Sequence, residues 1–350
     1  MLAPGVYITT LDAEKFNRCR IAIHLRYTPL RRTATDAAVL PLVLERGYAQ
    51  CPDMTALSRK LARLYGADLG VDLGTAGTDR VLTVDICGIK DRFALAGEDL
   101  TRAYADIAFG IVFDHYLVDR LFDPEDVRIE KETLDRRLQA EFNNKRLYCV
   151  RQARRRFYGD SPAGIELGGY RADLPGVTPA TLKAEYDRIL RTASIDVMVQ
   201  GAAADNVAER LLQALQAVPR APLFRNVLEK QSLCYYSGAT ALRATGVMMG
   251  DSGVEPGREE QAEAAILKEW QDLCRGPVTQ EEMEDCRRSL LSGMDALGDS
   301  LAGLESWYYG QITRGEALAP PEYGRVLINA VTADEVREQL NSYHYSVCYT

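Results

Sequence analysis

Imidazole is scarce in this chain. Its three histidines, His24, His115 and His344, include no pair four residues apart, the spacing that sets two metal ligands on one helical face. Eight cysteines stand at Cys19, Cys51, Cys87, Cys149, Cys234, Cys274, Cys286 and Cys348, with no C-x-x-C among them. That pattern fits neither a zinc ribbon nor a redox dithiol, and reduced, buried thiols are expected. No phosphate loop occurs, and no G-x-G-x-x-G follows a strand. The segment Ser289-Leu290-Leu291-Ser292-Gly293 reads as helix rather than the strand-to-helix turn of a nucleophile elbow. The segment Leu40-Pro41-Leu42-Val43-Leu44-Glu45-Arg46-Gly47 carries one acid, Glu45, beside a cation, Arg46. By its residues alone Glu45 reads as a structural or solvated charge.

At 350 residues the chain exceeds one ordinary core, and two domains are expected. Apolar residues make up 47% and charged residues 26%, an ordinary soluble balance. No run of about 18 apolar residues appears, so no membrane span is expected. The start, Met1-Leu2-Ala3-Pro4-Gly5, shows no basic and then apolar leader, which makes the cytoplasm the expected compartment. A net charge of −8 argues against nonspecific nucleic-acid binding. The run Arg151, Arg154, Arg155, Arg156 is the local exception, read either as a solvated face or as a patch for an acidic partner.

The elements that would position Glu45 are legible in order. Strands are expected at Gly5–Thr10 and Arg20–Tyr27, the second half-buried by its alternation of Ile21, Ile23 and Leu25 with Ala22, His24 and Arg26. A helix from about Thr35 to Arg46 ends at Gly47, with Pro41 predicting a kink or a late start. Leu57, Leu61 and Leu64 share a helical face. A hairpin sets Leu69, Val71 and Leu73 against Leu82, Val84 and Ile86, around Ala76-Gly77-Thr78-Asp79. Asp123-Pro124-Glu125 opens a helix predicted to run to about Phe157. Thr178-Pro179 opens another, and a strand comes next at Ser194–Gly201.

The second half repeats this order. Thr279 and Thr332 cap helices as Asp123 and Thr178 do, and Gln280-Glu281-Glu282-Met283 mirrors Pro124-Glu125-Asp126-Val127. The cap-to-cap distances are 55 and 53 positions. Tyr345–Tyr349 is expected to be the matching final strand. Phe224–Ser232 and Leu233–Val247 stand for the second helix and hairpin, while the first two strands and the helix of Leu42–Arg46 have no counterpart. Roughly 50–70 residues are missing by this repeat logic. The expected organisation is a first domain at 1–218, a linker at 219–223 and a shortened second domain at 224–350, with an under-covered second half.

These features resemble the insulinase/pitrilysin/mitochondrial-processing-peptidase family of zinc metallopeptidases. The carriers are Leu44-Glu45-Arg46-Gly47, Leu64-Tyr65-Gly66-Ala67, Phe122-Asp123-Pro124-Glu125, Tyr158-Gly159-Asp160-Ser161-Pro162 and Phe224-Arg225-Asn226-Val227-Leu228-Glu229-Lys230-Gln231-Ser232-Leu233-Cys234-Tyr235-Tyr236. The resemblance implies an α+β fold of two related sandwich units, an antiparallel sheet covered by helices in each, the second shortened. It also sets a frame: active members carry H-x-x-E-H, and in that frame stand Leu42, Glu45 and Arg46. Leucine offers no lone pair and arginine is a cation, so no metal and no cofactor are expected. Glu130 or Glu132 falls where a distal third ligand would, with local pairing to Arg128 or Arg136 as the plainer role.

The resembled branch is bacterial and paired, one subunit with the zinc motif and one without. It is associated with peptide natural-product maturation and with elongation factor P modification. In such pairs the inactive subunit supplies an Arg and a Tyr that grip substrate. Tyr235 matches the Tyr, Leu228 stands at the Arg position, and Arg225, one helical turn earlier, is the candidate substitute. The implied function is a non-catalytic subunit in a heterodimer with a catalytic zinc-peptidase homologue, binding a peptide or protein substrate. The alternative is a peptide-binding or scaffolding protein with no associated proteolysis.

Overall fold

The hairpin forms in the register that its alternation demands. In the computed structural model, which describes residues 5–215, 239–242, 246–250, 259–276 and 278–346, β3 (Asp68–Ala76) and β4 (Asp79–Ile89) pair Leu69 with Ile86, Val71 with Val84 and Leu73 with Leu82. Gly77 takes a left-handed φ of 64° in the two-residue turn, a conformation that costs glycine little. β2 (Arg18–Tyr27) lies antiparallel to β4 and, on its other side, to β5 (Ser194–Gln200). β1 (Val6–Leu11) runs parallel to β5, giving the order β1-β5-β2-β4-β3. Of these five strands, β1 and β3 are the edges.

β2 departs from the half-buried expectation. Ala22 and His24 are buried together with Ile21, Ile23 and Leu25. A strand in the middle of a covered sheet loses water on both faces. His24 is accommodated by a 3.0 Å contact between its Nδ1 and Thr83 Oγ1.

Helices cover the sheet. Every residue of α1 (Ala34–Leu44) is buried except Leu42, which is partly buried and packs on the core. A helix apolar all round is a core helix, and Pro41 neither delays nor ends it: the Glu45 N–H still reaches the Pro41 carbonyl at 3.1 Å. α2 (Met54–Arg63) is capped by Asp53, whose carboxylate accepts from the Ala56 N–H at 2.8 Å. Tyr48 then wedges under α3 (Leu100–Phe113), where a Cβ on Gly110 would fall 2.3 Å from the Tyr48 ring. α7 (Ala204–Leu215) packs Val207 and Leu211 into the same core, and its Arg210 pairs with Asp106 at 2.5 Å.

α4 (Pro124–Ala140) begins at the Asp123 cap. The single helix expected from Asp123 to Phe157 is in fact two. Asn144 opens α5 (Lys145–Tyr158) by accepting from the Leu147 N–H at 3.1 Å. An asparagine cap competes with helix continuation, and the alternation of charges masked that break in the sequence. α6 (Pro179–Thr192) starts in a capping box between Thr178 and Thr181, and its Tyr186 hydroxyl donates to the Val112 carbonyl at 2.7 Å.

The chain divides into two compact units. One comprises Met1–Glu141 and Asp160–Asn226, the other Phe142–Gly159 and Val227–Thr350. Besides α5, the second contains a small antiparallel pair, β6 (Ala239–Leu242) with β7 (Val247–Gly250), then α8 (Glu259–Arg275), α9 (Gln280–Leu297), α10 (Leu301–Arg314), α11 (Pro321–Ala330) and α12 (Ala333–Asn341). Thr279 and Thr332 both close capping boxes, with Glu282 and Glu335. Met283 is buried, like Val127 in the first copy. Trp307 packs on Gly324 and donates to the Ala319 carbonyl at 2.8 Å. Coverage is thin, however: α11 leaves Tyr323, Val326 and Leu327 exposed, Val326 by 63%. Residues 343–346 carry no strand, and the rest of the expected Tyr345–Tyr349 strand lies outside the described residues. Among the described residues no helix is long and apolar enough to cross a membrane.

One buried group gives the fold a pH dependence. His115 lies against Phe122, ring centroids 5.1 Å apart, and its buried Nδ1 has no hydrogen-bond partner. Burial lowers its pKa from 6.5 to about 4. The unfolded chain therefore binds more protons between those values. The stability held by neutral His115 is complete above about pH 6.5 and is lost as pH falls toward 4, in total about 3 kcal/mol. Denaturant melts of wild type and His115→Phe across this range should converge in slope above pH 6.5 and diverge below it, with the wild type falling faster. Parallel curves would refute the assignment.

Candidate functional site

The C-terminal end of α1 faces the first turns of α4, and Arg46 joins the two. Its Nε donates to Asp126 Oδ1 at 2.6 Å and its Nη1 to Glu130 Oε1 at 2.8 Å. Asp126 and Glu130 are four residues apart on one face of α4, the spacing that makes side chains neighbours. Both ion pairs are largely screened from water: the exposed fractions are 20% for Arg46, 22% for Asp126 and 12% for Glu130. Burial works against the arginine charge, but the hydrogen bond to Glu130 and the charge of Asp126 outweigh it and raise the Arg46 pKa.

Leu42 and Glu45 complete the segment. Leu42 packs its side chain against the core, while Glu45 is exposed as a residue. The protein nonetheless strips some water from its carboxyl, which pushes the pKa above the usual carboxylate range. Arg137 opposes this rise, and the charges of Glu130 and Asp72 add to it. Asp72 belongs to the edge strand β3.

The residues do not fit a catalytic zinc. Such a site needs three lone-pair donors and a place for water. Leu42 has no donor atom, and the Arg46 guanidinium is all hydrogen-bond donors and no acceptor. It also holds the carboxylate that could have served as a third ligand, and a dication beside it would meet like charge. Among the described residues no group of three or more His, Cys, Asp and Glu side chains is arranged to hold a metal ion.

Sequence reasoning identified Glu130 but not its use. Glu132, the other candidate, pairs locally with Arg128 at 2.6 Å, whereas Glu130 turns to Arg46. Asp126 was missed altogether, although its spacing from Glu130 was the available signal. Tyr235, Arg225 and Leu228 lie outside the described residues.

Removing the guanidinium should leave two carboxylates facing each other in a poorly hydrated crevice. Arg46→Ala is expected to cost about 2–3 kcal/mol, below the figure for a fully buried pair because a fifth of the arginine is still wet. Urea unfolding measures it, and a loss under about 0.5 kcal/mol would show the ion pairs to be idle. Added zinc should leave the wild-type melting temperature where it is, since only a ligand of the folded state raises it.

The model for the family described as the peptidase M16 inactive domain matches residues 174–290. The probable inactive metalloprotease YmfF of Bacillus subtilis (strain 168) is 21% identical over 368 residues, spanning 88% of this chain and 86% of that protein. That alignment is longer than the chain itself, so the relative carries residues that this chain lacks. A conserved protein from Enterococcus faecalis V583 has the same fold, with a TM-score of 0.85 at 20% identity over 97% of this chain and 94% of its own. The peptidase M16 inactive domain from Pseudomonas fluorescens superposes with a TM-score of 0.69 at 14% identity, over 99% and 97% of the two chains. A helix with Leu42, Glu45 and Arg46, the last tying Asp126 and Glu130, agrees with this likeness: residues 174–290 match the peptidase M16 inactive domain, and most of the chain is similar to a probable inactive metalloprotease.

Proposed function

We propose that this chain is the non-catalytic subunit of a heterodimeric peptidase, holding an extended peptide for a homologue that carries the zinc. The observation that carries the reading is the Arg46 guanidinium standing in the metal frame, paired with Asp126 and Glu130. The α1–α4 framework of a peptidase is kept while its chemistry is not. The edge strand β3 supports the reading further. Its outer side leaves backbone donors and acceptors unpaired by any other strand of the sheet, the arrangement that accepts a peptide as an added strand. Tyr235, with Arg225 as a substitute donor, is the proposed contact to the partner's substrate. Substrates from peptide natural-product maturation or elongation factor P modification fall within this role. The cytoplasm is the proposed compartment, since six cysteines among the described residues, Cys19 and Cys51 included, are free thiols. The proposed domain boundary stays at 219–223.

Co-expression with a homologue bearing an intact H-x-x-E-H tests this role. The two chains should co-purify, and peptide cleavage should require both and stop with a chelator. The reading fails if this chain alone hydrolyses peptide, or if the homologue alone is as active as the mixture.

A further inference from the structure

α5 is a helix that its own protein does not bury. Not one of its 14 residues is buried, and Leu147 is 54% exposed. Short isolated helices are marginal in water, and most draw their stability from a packed face. The segment Lys145-Arg146-Leu147-Tyr148-Cys149-Val150-Arg151-Gln152-Ala153-Arg154-Arg155-Arg156-Phe157-Tyr158 carries six cations and no acid, within a chain of net charge −8.

The charges are placed against the helix's own interest. Lys145 and Arg146 occupy the first turn, where the helix dipole is already positive and a cation is unfavourable. Arg151 and Arg155 are like charges four residues apart, a repulsive pair. Only Arg155 and Arg156, in the last turn, complement the dipole. Among the described residues the side chains of Arg154 and Arg155 make no hydrogen bond or ion pair. Arg146, Arg151 and Arg156 interact elsewhere in the chain and Lys145 lies over the Phe142 ring, so Arg154 and Arg155 are the two cations of the helix left without a partner among the described residues.

We infer that α5 is a docking element for an acidic polypeptide segment, with Arg154 and Arg155 as its free contacts. Three features choose this occupant. At about 100° per residue the six cations ring the helix instead of leaving one apolar face, which an interfacial membrane helix needs. The protein's overall negative charge repels an extended polyanion such as RNA. A short acidic peptide meets only the local positive field, and its carboxylates can pair with Arg154 and Arg155. Phe142 and Leu147, exposed beside Lys145, add apolar contact at one end. The inference stands apart from the proposed subunit role, because its test needs this chain alone.

Fluorescence anisotropy of a dye-labelled polyglutamate peptide with the full chain is the experiment. Binding should weaken steeply between about 0.05 M and about 0.5 M salt. Arg154→Ala/Arg155→Ala should weaken it roughly tenfold, two surface ion pairs' worth, and Arg154→Glu/Arg155→Glu should abolish it. Neither double variant should lose melting temperature, because among the described residues these side chains have no internal partner to lose. A polyglutamine peptide should not bind. Unchanged affinity in both variants, no binding to wild type, or tighter capture of phosphatidylserine vesicles or single-stranded RNA would each overturn the inference.

Discussion

One guanidinium ties α1 to the helix beside it. Arg46 closes two carboxylates four residues apart on α4, Asp126 at 2.6 Å and Glu130 at 2.8 Å. Without a cation those acids would repel each other in a crevice poor in water. A zinc ion would satisfy such a crevice with charge and fixed geometry, and arginine does so with charge and a planar fork. The two solutions exclude one another, because both occupy the same carboxylate. Arg46 is therefore a polar contact that keeps α1 and α4 together.

The consequences run through α1. Because that helix is buried almost all round, its position fixes the turn at its C-terminal end, and Tyr48 is seated on Gly110 of α3 with no room for a methyl group. α3 in turn holds α7 through Asp106 and Arg210. The clamp at Arg46 thus sits at one end of a chain of close contacts reaching across the helical layer. On the sheet side Asp72 brings the charge of β3 to Glu45. The Glu45 carboxyl is raised in pKa by partial burial, with the charges of Glu130 and Asp72 adding to the rise and Arg137 opposing it.

Much of this was legible in the residues, for physical reasons. Leu69, Val71 and Leu73 could pair with Leu82, Val84 and Ile86 in only one register that buries them together, so the hairpin was readable. Caps such as Asp123, Thr178, Thr279 and Thr332 act within three residues and show themselves locally. What stayed hidden depends on distant neighbours. Nothing in Arg20–Tyr27 says that its second face would be covered, because β5, which flanks it, arrives about 170 positions later. Arg46 could be read as a cation hostile to zinc, but its grip on Asp126 required knowing where α4 would lie. The break at Asn144 was masked because charged residues continue on both sides of it.

The same division between local and distant describes the second unit. Its capping boxes at Thr279 and Thr332 are each satisfied inside one turn of backbone. Such features need no neighbouring helix. Burial does, because it needs a surface to press against. The helix starts are therefore satisfied while apolar side chains lie bare: Met283 is the one buried residue of α9, and α11 keeps Tyr323, Val326 and Leu327 in water. The first unit buries a continuous apolar core, while the second leaves apolar and cationic side chains of its helices in water.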